Sequence, residues 1–156
     1  MQIINNIRLF KHSIKVAFGS YAAAKKMNLS LKQCHNVFLA GFLHDIGKIK
    51  LDQNILYKEE KLTADEQKYI REHVDLGVEI LRKYKIPERI VIVVEQHHEH
   101  DDGTGYPKGL KKNEILMEAR ILRCVDVYDA LTSNRAYRKR YTRKQTQEIM
   151  AREEIT

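Results

Sequence analysis

Residues 63–98 read TADEQKYIREHVDLGVEILRKYKIPERIVIVVEQHH and decide the class of fold. Thr63 and Glu66 form a capping-box pair, which predicts that a helix begins here. Side chains that suit one helical face then recur three and four residues apart, at Tyr69, Ile70, His73, Leu76, Gly77, Ile80 and Leu81. The pattern predicts an amphipathic helix whose inner face includes His73.

The same stretch predicts a further helix after Pro87, because proline is favoured at the first helical position. Its apolar residues are Ile90, Val91, Val93 and Val94. Valine is a poor helix former, so a strand is the competing prediction for this segment. In both cases the segment leads directly to His97 and His98.

Toward the N-terminus, the segment 3–26 has the length and apolar spacing of a long helix. Ser30 and Gln33 form another capping-box pair, which predicts a second helix that ends near Asp45. Gly47 is expected to end it, because glycine readily adopts the positive φ with which many helices terminate. A connecting stretch then precedes the segment described above.

Toward the C-terminus, residues 101–109 read DDGTGYPKG, and their glycines and proline predict a loop. A helix is expected from Glu114 to about Thr132. Thr142 and Gln145 form a third capping pair, which opens a last helix. The whole pattern predicts an all-α fold in which the chain forms one compact helical bundle.

Composition agrees with one domain inside the cell. A chain of 156 residues with 43% hydrophobic residues can bury a core without disulfides. Cys34 and Cys124 lack the spacing of a metal-binding pair and are interpreted as small core residues. The sequence has neither a signal peptide nor an apolar run of about eighteen residues, so we expect a cytoplasmic protein without a membrane span.

The net charge of +7 favours anionic partners such as phosphates, nucleotides, nucleic acid or an anionic membrane surface. A basic surface that only keeps the protein soluble is the alternative interpretation. The sequence contains no aromatic and basic platform or known motif for nucleic acid, so no nucleic-acid partner is predicted.

Histidine and aspartate residues carry the chemistry of this sequence. Seven histidines are present, and five lie at or near the ends of predicted helices, beside aspartates or facing the same interior. Neutral imidazole and carboxylate ligands together suit iron, manganese or zinc, without thiolates. His35 and His100 have no such partners and are interpreted as surface or packing residues.

The adjacent pair His44 and Asp45 is the first candidate for metal binding. Neighbouring residues on a helix point about 100° apart, so both reach one ion only near a helix end. A carboxylate beside an imidazole suits a site in which the carboxylate bridges two metals. The alternative is a helix C-terminus with a favourably placed histidine.

Two further sets of polar residues support the metal site. His97 and His98 stand at a predicted helix end, although a solvated loop is the alternative there. Asp126 lies between two valines, where an unpaired carboxylate would cost several kcal/mol unless an ion binds it. Asp129 lies close to the same helix face and suits either the orientation of a ligand or a bond to a backbone amide.

Six motifs are spread over most of the chain, from residue 12 to residue 139. They are HSIKVA from His12, LHDIGKI from Leu43, KLTADE from Lys61, HVDLG from His73, HHEHDDGTGYPKGL from His97 and ARILRCVDVYDALTSNRAYRK from Ala119. The spaced HHExxDGxGYP segment is far more specific than a His-Asp pair alone. With these motifs the chain resembles the HD-GYP family of the HD superfamily, whose members hydrolyse the bacterial second messenger cyclic di-GMP.

The resemblance implies a fold of the HD-domain type over residues 1–156 and a site with two divalent metal ions. Iron or manganese is expected, with zinc as the third option. The positions that match ligands of one metal are His12, His44, Asp45 and Asp126. His73 and His97 match ligands of the second metal, Asp45 bridges the two, and His98 matches a family ligand position as well.

The resemblance also implies catalytic and substrate-binding residues. Lys48 matches the lysine of the HDxGK motif and is expected beside the metals and the scissile phosphate, with Asp45 as the second catalytic residue. The positions that match substrate contacts are Gly105, Tyr106 and Pro107 of the GYP loop, and Arg135 and Arg138. Fixed positive charge from the lysine and the arginines would stabilise the phosphates.

The implied reaction is hydrolysis of cyclic di-GMP, with the linear dinucleotide or GMP as the end product. Two divalent ions about 4 Å apart can hold a bridging hydroxide and stabilise the charge that builds on phosphorus. One alternative is a phosphohydrolase for another nucleotide or phosphate ester. The other is a signalling module that binds the dinucleotide or a protein partner, such as a diguanylate cyclase, with little turnover.

The sequence departs from the family pattern at three places. Arg8 stands where some members have a glutamate that helps to hold a third metal, so two metals are expected and the ligand role of His98 stays open. Val74 replaces a common proline, which should matter little. Family domains usually continue beyond the position of Thr156, so a domain shortened at its C-terminus is expected.

Overall fold

The structure is a computed structural model that describes the backbone of residues 2–133 and 139–152 and the side chains of residues 7–133 and 139–152. Its helices are α1 (Gln2–Lys26), α2 (Leu31–Leu43), α3 (Gln53–Leu56), α4 (Ala64–Arg71), α5 (His73–Lys83), α6 (Glu88–Glu95), α7 (Met117–Thr132) and α8 (Arg143–Arg152). Two short 3₁₀ turns, Ile46–Lys50 and Lys112–Glu114, complete the regular structure of these residues. The predicted all-α class is confirmed.

The capping pairs begin helices where the sequence predicts them. The Ser30 hydroxyl accepts a hydrogen bond from the backbone N–H of Gln33, and Thr63 does the same for Glu66. In both pairs the second side chain accepts from the backbone of the first residue, so two free N–H groups are satisfied at once. The segment after Pro87 is helix α6, and the strand alternative is wrong.

Three predicted helix boundaries need correction. The helix predicted from Thr63 onward is two helices, because the chain turns at Glu72 between α4 and α5. Pro87 precedes the first residue of α6 instead of occupying it. Helix α7 begins at Met117, after a 3₁₀ turn, and not at Glu114.

The role expected for Gly47 is also wrong. Positive φ among the described glycines occurs at Gly103 and Gly109, whereas Gly47 lies inside the 3₁₀ turn after α2. A Cβ atom at Gly47 would lie 1.9 Å from the carbonyl oxygen of His73 and 2.6 Å from the backbone nitrogen of Gly77. Glycine is therefore required because the turn after α2 presses directly against the backbone of α5.

The helices pack around one apolar cluster. Helix α1 lies against α2 and α7, and α2 and α5 lie against α6. Cys34 is buried in this cluster as expected, whereas Cys124 is half-buried. Buried members include Val16, Val37, Val78, Leu81, Val91, Val94, Ala119 and Leu122. This packing brings the ends of α2, α4 and α6 to one place in the interior.

An ion pair fixes α6 against α7. Glu118 is fully buried and accepts hydrogen bonds at 2.9 Å from Arg89 Nη2 on both of its carboxylate oxygens. A buried carboxylate without a partner would cost several kcal/mol, so this pairing is needed for α7 to pack here. Among the helices of residues 2–133 and 139–152, none is long and apolar enough to cross a membrane.

Candidate metal centre

Polar side chains from five parts of the chain meet where the ends of the helices converge. Helix α1 supplies His12, and the residues that follow α2 supply His44 and Asp45. His73 begins α5, His97 and His98 follow α6, and α7 supplies Asp126. His12 and Asp126 keep 21% and 17% of their side-chain surface exposed, whereas His44, Asp45, His73 and His97 are buried.

The first group of ligand atoms belongs to His12, His44 and Asp126. One ligand atom from each lies within 4.8 Å of the others. Nε2 of His12 lies 3.1 Å from Asp126 Oδ1 and 3.3 Å from Nε2 of His44. Two imidazole nitrogens and one carboxylate oxygen that converge in this way could hold a divalent cation.

The second group consists of His73, His97 and His98, whose ligand atoms also lie within 4.8 Å of one another. The ring centroid of His73 lies 5.6 Å from that of His97 and 5.2 Å from that of His98. The two sequence neighbours therefore both face His73, and the solvated-loop alternative for His97 and His98 is wrong.

Asp45 lies between the two groups. Its Oδ2 is 3.4 Å from Nε2 of His44 and 3.8 Å from Nε2 of His12, on the side of the first group. Its Oδ1 is 3.6 Å from Nε2 of His73, on the side of the second group. One carboxylate thus presents one oxygen to each group, which is the arrangement required of a ligand that bridges two ions.

Three buried atoms at this centre have no hydrogen-bond partner: Asp45 Oδ1, His73 Nε2 and His97 Nε2. Buried polar atoms in proteins are nearly always paired, because an unpaired one loses its hydration without compensation. All three face the space between the histidines. A cation there would satisfy them together, so the residues present fit metal binding.

Backbone carbonyls fix the direction in which three of the imidazoles face. His44, His73 and His97 each donate Nδ1–H to the carbonyl three residues earlier in the chain. Such carbonyls are free near helix C-termini, because the following turn supplies no donor for them. The lone pair of Nε2 is then directed into the centre. The position of each histidine at a helix end therefore also fixes the orientation of its ring.

Burial and charge favour the protonation states that bind metals in the second group and at Asp45. Burial lowers the pKa of His97 to about 3, and burial lowers the pKa values of His73 and His98 as well. Burial alone would raise the pKa of Asp45, but the charges of His44, Lys48 and other neighbours hold it well below its usual range. These groups are neutral imidazoles and an ionised carboxylate at neutral pH.

Asp129 orients His12 from outside the centre. Its Oδ2 accepts a hydrogen bond of 2.8 Å from Nδ1 of His12 and leaves Nε2 for the first group. Of the two contacts that the sequence allowed for Asp129, the structure shows the one with a candidate ligand and, among the described residues, none with a backbone amide. Burial would lower the pKa of His12, but its bonds to Asp126 and Asp129 outweigh this and raise it to about 9.

We expect Asp129→Ala to weaken the binding of Mn²⁺ by roughly 10- to 100-fold, because His12 loses the acceptor that orients its ring. The affinity can be measured by competition with a chelator of known affinity. Lys15→Ala is the matched control, because Lys15 is 61% exposed and contacts the other oxygen of Asp129 at 3.4 Å. An equal effect of both variants would contradict this role.

The GYP loop packs against the second group. The ring of Tyr106 stacks on that of His98 with centroids 4.8 Å apart. The backbone N–H of Tyr106 donates a hydrogen bond to the backbone carbonyl of His98. A Cβ atom at Gly105 would lie 2.5 Å from Cα of Glu99, so only glycine allows this approach. Pro107 follows a cis peptide bond and is exposed. The loop thus contacts a candidate ligand, His98.

Glu99 anchors the loop, a role that the sequence analysis missed. Its side chain is 2% exposed, and its two oxygens accept hydrogen bonds from the backbone N–H groups of Lys108 and Leu110 at 2.7 and 2.9 Å. The motif suggests the residue by its place after His97 and His98, but its contacts are with residues nine and eleven positions later. Glu99 therefore holds the loop and contributes no oxygen to the candidate ligand groups.

We expect Glu99→Gln to lower the free energy of unfolding by about 1–3 kcal/mol, because a carboxamide directs an NH₂ group at one of the two backbone donors. Amide hydrogen exchange in residues 101–110 should accelerate in parallel. Glu95→Gln is the control, because Glu95 pairs with the ammonium group of Lys108, which is 53% exposed, and among the described residues its side chain accepts from no backbone N–H. Unchanged exchange in the Glu99 variant would contradict the anchoring role.

The remaining predicted residues lie in several environments. Lys48 Nζ lies 2.7 Å from Asp45 Oδ2, at the side of the centre. His35 stacks on Tyr21, and His100 bonds to Thr104, so neither belongs to a ligand group. Arg8 is exposed. Arg135 and Arg138 lie outside the residues that the structure describes.

Comparisons with known proteins identify the family of the chain. A family model described as HD domain matches residues 2–155. A cyclic di-GMP phosphodiesterase of Pseudomonas aeruginosa is 40% identical over 131 residues, which are 83% of this chain and 32% of that protein. A 3′3′-cGAMP-specific phosphodiesterase of Vibrio cholerae is 36% identical over 145 residues, which are 90% of this chain and 27% of that protein. The chain spans about a third of the length of these relatives.

Solved structures support the fold alone, because their sequences are distant. A Bdellovibrio bacteriovorus protein described as HDG"Y"P superposes with a TM-score of 0.75 at 20% identity. The matched region is 92% of this chain and 46% of the Bdellovibrio chain. The HD domain of the L. monocytogenes phosphodiesterase PgpH, in complex with cyclic-di-AMP, gives a TM-score of 0.67 at 22% identity, covering 92% and 74%.

Proposed function

The chain belongs to the HD-domain family, and from this premise we propose that it is a metal-dependent phosphodiesterase that hydrolyses cyclic di-GMP to the linear dinucleotide or to GMP. The observation that carries the proposal is the position of Asp45, which presents one oxygen to each of two groups of ligand atoms. The similarity to relatives named as cyclic di-GMP phosphodiesterases supports the choice of substrate. The proposal treats residues 1–156 as one HD-GYP-like domain.

The proposed centre holds two divalent cations, with Asp45 as the bridging ligand. His12, His44 and Asp126 complete the first site, and His73, His97 and His98 complete the second. His98 belongs with His73 in this proposal, so its role requires no third ion. The exposed arginine at position 8 is in keeping with a centre of two ions. Iron or manganese suits this set of imidazoles and carboxylates, and zinc is the third option.

The metals, when bound, supply a nucleophilic water and positive charge beside the scissile phosphate. The side chains orient and balance this centre. Asp45 contributes negative charge to both sites, and Lys48 lies at its Oδ2. A cation at that oxygen would displace the ammonium group of Lys48, which could then donate to a phosphate oxygen. In the proposed hydrolysis the oxygen of a water molecule bonds to phosphorus and the water loses a proton to solvent. The bond from phosphorus to the 3′ oxygen breaks, and Lys48 is the protein group proposed to protonate the leaving oxygen.

Further contacts in the proposal come from the loop and the last part of the chain. Gly105, Tyr106 and Pro107 would border the bound dinucleotide beside His98. Arg135 and Arg138 are proposed to bind its phosphates. We also propose a cytoplasmic protein, in keeping with two free cysteines, and a diguanylate cyclase as a signalling partner, because such an enzyme supplies the substrate.

The substrate is tested by comparing cyclic di-GMP, 3′3′-cGAMP and cyclic di-AMP with a small diester, bis(p-nitrophenyl) phosphate, on the metal-loaded protein. Chromatography of the products should give the linear dinucleotide from cyclic di-GMP as the preferred reaction. Preference for 3′3′-cGAMP would move the assignment to a neighbouring substrate of the same class. Turnover of the small diester alone would leave a phosphohydrolase for another phosphate ester.

A further inference from the structure

Arg71 extends the candidate centre in a direction that the ligand groups do not explain. It is the last residue of α4, two positions before His73, and its side chain is exposed. Its guanidinium carbon lies over the ring of Tyr106, 4.9 Å from the ring centroid. Such a contact between a cation and an aromatic face is favourable and restrains a side chain that would otherwise be flexible.

The guanidinium of Arg71 is not committed to a carboxylate. Arg82, Arg89 and Arg120 each pair with an acidic side chain at 2.7–2.9 Å. Among residues 7–133 and 139–152, no carboxylate forms an ion pair with Arg71. Its donors are therefore available for an external anion, and the planar guanidinium suits the two oxygens of a phosphate.

The position of Arg71 relates it to the metal centre through two stacked rings. Tyr106 lies under the guanidinium, and the ring of His98 lies 4.8 Å beyond that of Tyr106. The scissile phosphate of the proposed reaction must approach Asp45 and Lys48, inside the ligand groups. Arg71 lies outside them, so it faces a part of the substrate that is remote from the bond that breaks.

The exposed guanidinium of Arg71, supported by the ring of Tyr106, forms a rim outside the two ligand groups. Fixed positive charge beside a partly buried site attracts anionic ligands and raises their local concentration. The rim formed by Arg71 and Tyr106 is thus suited to a second anionic group of the substrate.

We propose that Arg71 is a substrate-binding residue that receives the second, non-scissile phosphate of a cyclic dinucleotide. This inference rests on the proposed function. A cyclic dinucleotide carries its two phosphates on opposite sides of one macrocycle, so one can lie at the metals while the other reaches the rim. Tyr106 supports the guanidinium in the orientation that this contact requires. A diester with one phosphate has no group for Arg71 to bind.

The test is Arg71→Gln in the metal-loaded protein, assayed on cyclic di-GMP and on bis(p-nitrophenyl) phosphate. We expect kcat/KM for cyclic di-GMP to fall roughly 10- to 100-fold, mainly through KM, because a charged hydrogen bond to substrate is lost. The value for the small diester should change by less than about twofold. Arg71→Lys should recover only part of the loss, because an ammonium lacks the paired donors.

Arg82→Gln is the matched control, because Arg82 pairs with Glu88 on the surface and should leave both substrates unaffected. Equal losses on both substrates, or no loss on either, would overturn the role of Arg71. If the wild-type protein hydrolyses only the small diester, the proposed function fails separately. In that case the role of Arg71 is tested by the equilibrium binding of cyclic di-GMP, and weaker binding to Arg71→Gln than to wild type supports it. Equal affinity of the two proteins, or no binding to either, overturns the inference.

Discussion

Asp45→Ala is expected to lower kcat/KM on cyclic di-GMP by on the order of 10⁴-fold or more, the scale seen when a group shared by a whole catalytic unit is removed. Asp45 is 3% exposed and faces His44 and His73 with different oxygens, so its loss removes a ligand from both proposed metal sites. Lys48 would also lose the carboxylate that it contacts at 2.7 Å. Metal content and steady-state kinetics of the same preparation measure the effect.

Asp75→Ala is the control for this variant. Asp75 is exposed on α5, two positions after His73, so its removal should preserve metal content and activity. Circular dichroism checks that both variants keep their helices. If Asp45→Ala retained both metals and a tenth of the wild-type activity, the bridging role of Asp45 would be excluded.

Gly47→Ala is expected to destabilise the fold by about 3 kcal/mol or more, at the upper end of the cost of overpacking. The new methyl group would lie 1.9 Å from the His73 carbonyl oxygen, so the turn after α2 must move away from α5. That displacement separates Asp45 from His73, and metal binding should weaken with stability. Thermal unfolding with and without Mn²⁺ measures both effects.

Gly77→Ala provides the matched comparison on the other side of the same contact. A Cβ atom at Gly77 would lie 3.5 Å from its nearest neighbour, the backbone nitrogen of Gly47, which is an ordinary contact distance. Since Gly77 lies inside α5, alanine should stabilise the helix by roughly 0.5–1 kcal/mol. The account of this interface is wrong if the two variants change the unfolding temperature equally.

The order of the helices could be predicted from sequence because capping pairs and apolar spacing act locally. Ser30 and Thr63 satisfy N–H groups within three residues, so their effect is independent of the rest of the fold. The turn at Glu72 and the close approach at Gly47 depend on contacts between distant segments. Local patterns contain no information about such contacts, and both predictions failed there.

Residue chemistry marked the candidate ligands, whereas their division into two groups came from the family resemblance. A carboxylate between two valines, as at Asp126, and two adjacent histidines are costly to bury without a ligand. The structure brings these residues into two groups, and it gives Asp129 a contact with His12 that sequence spacing alone left undecided. The orientation of the imidazoles of His44, His73 and His97 by backbone carbonyls could not be predicted, because it depends on the exact residue at which each helix ends.

Glu99 and Arg71 illustrate what sequence reasoning leaves out. Glu99 resembles a solvated acid in the sequence, yet its partners are backbone N–H groups that only the folded loop presents. Arg71 is one of many basic residues in a chain with a net charge of +7. Its relation to Tyr106 and the absence of a carboxylate partner among the described residues become visible only in three dimensions.

The proposed metal centre is tested most directly by the metal content of protein purified anaerobically, determined together with its turnover of cyclic di-GMP. We expect about two divalent ions per chain and conversion to the linear dinucleotide. Activity should disappear when a chelator removes the ions and return when iron or manganese is restored. Full turnover in metal-free protein, or failure to bind metal after reconstitution, would contradict the account.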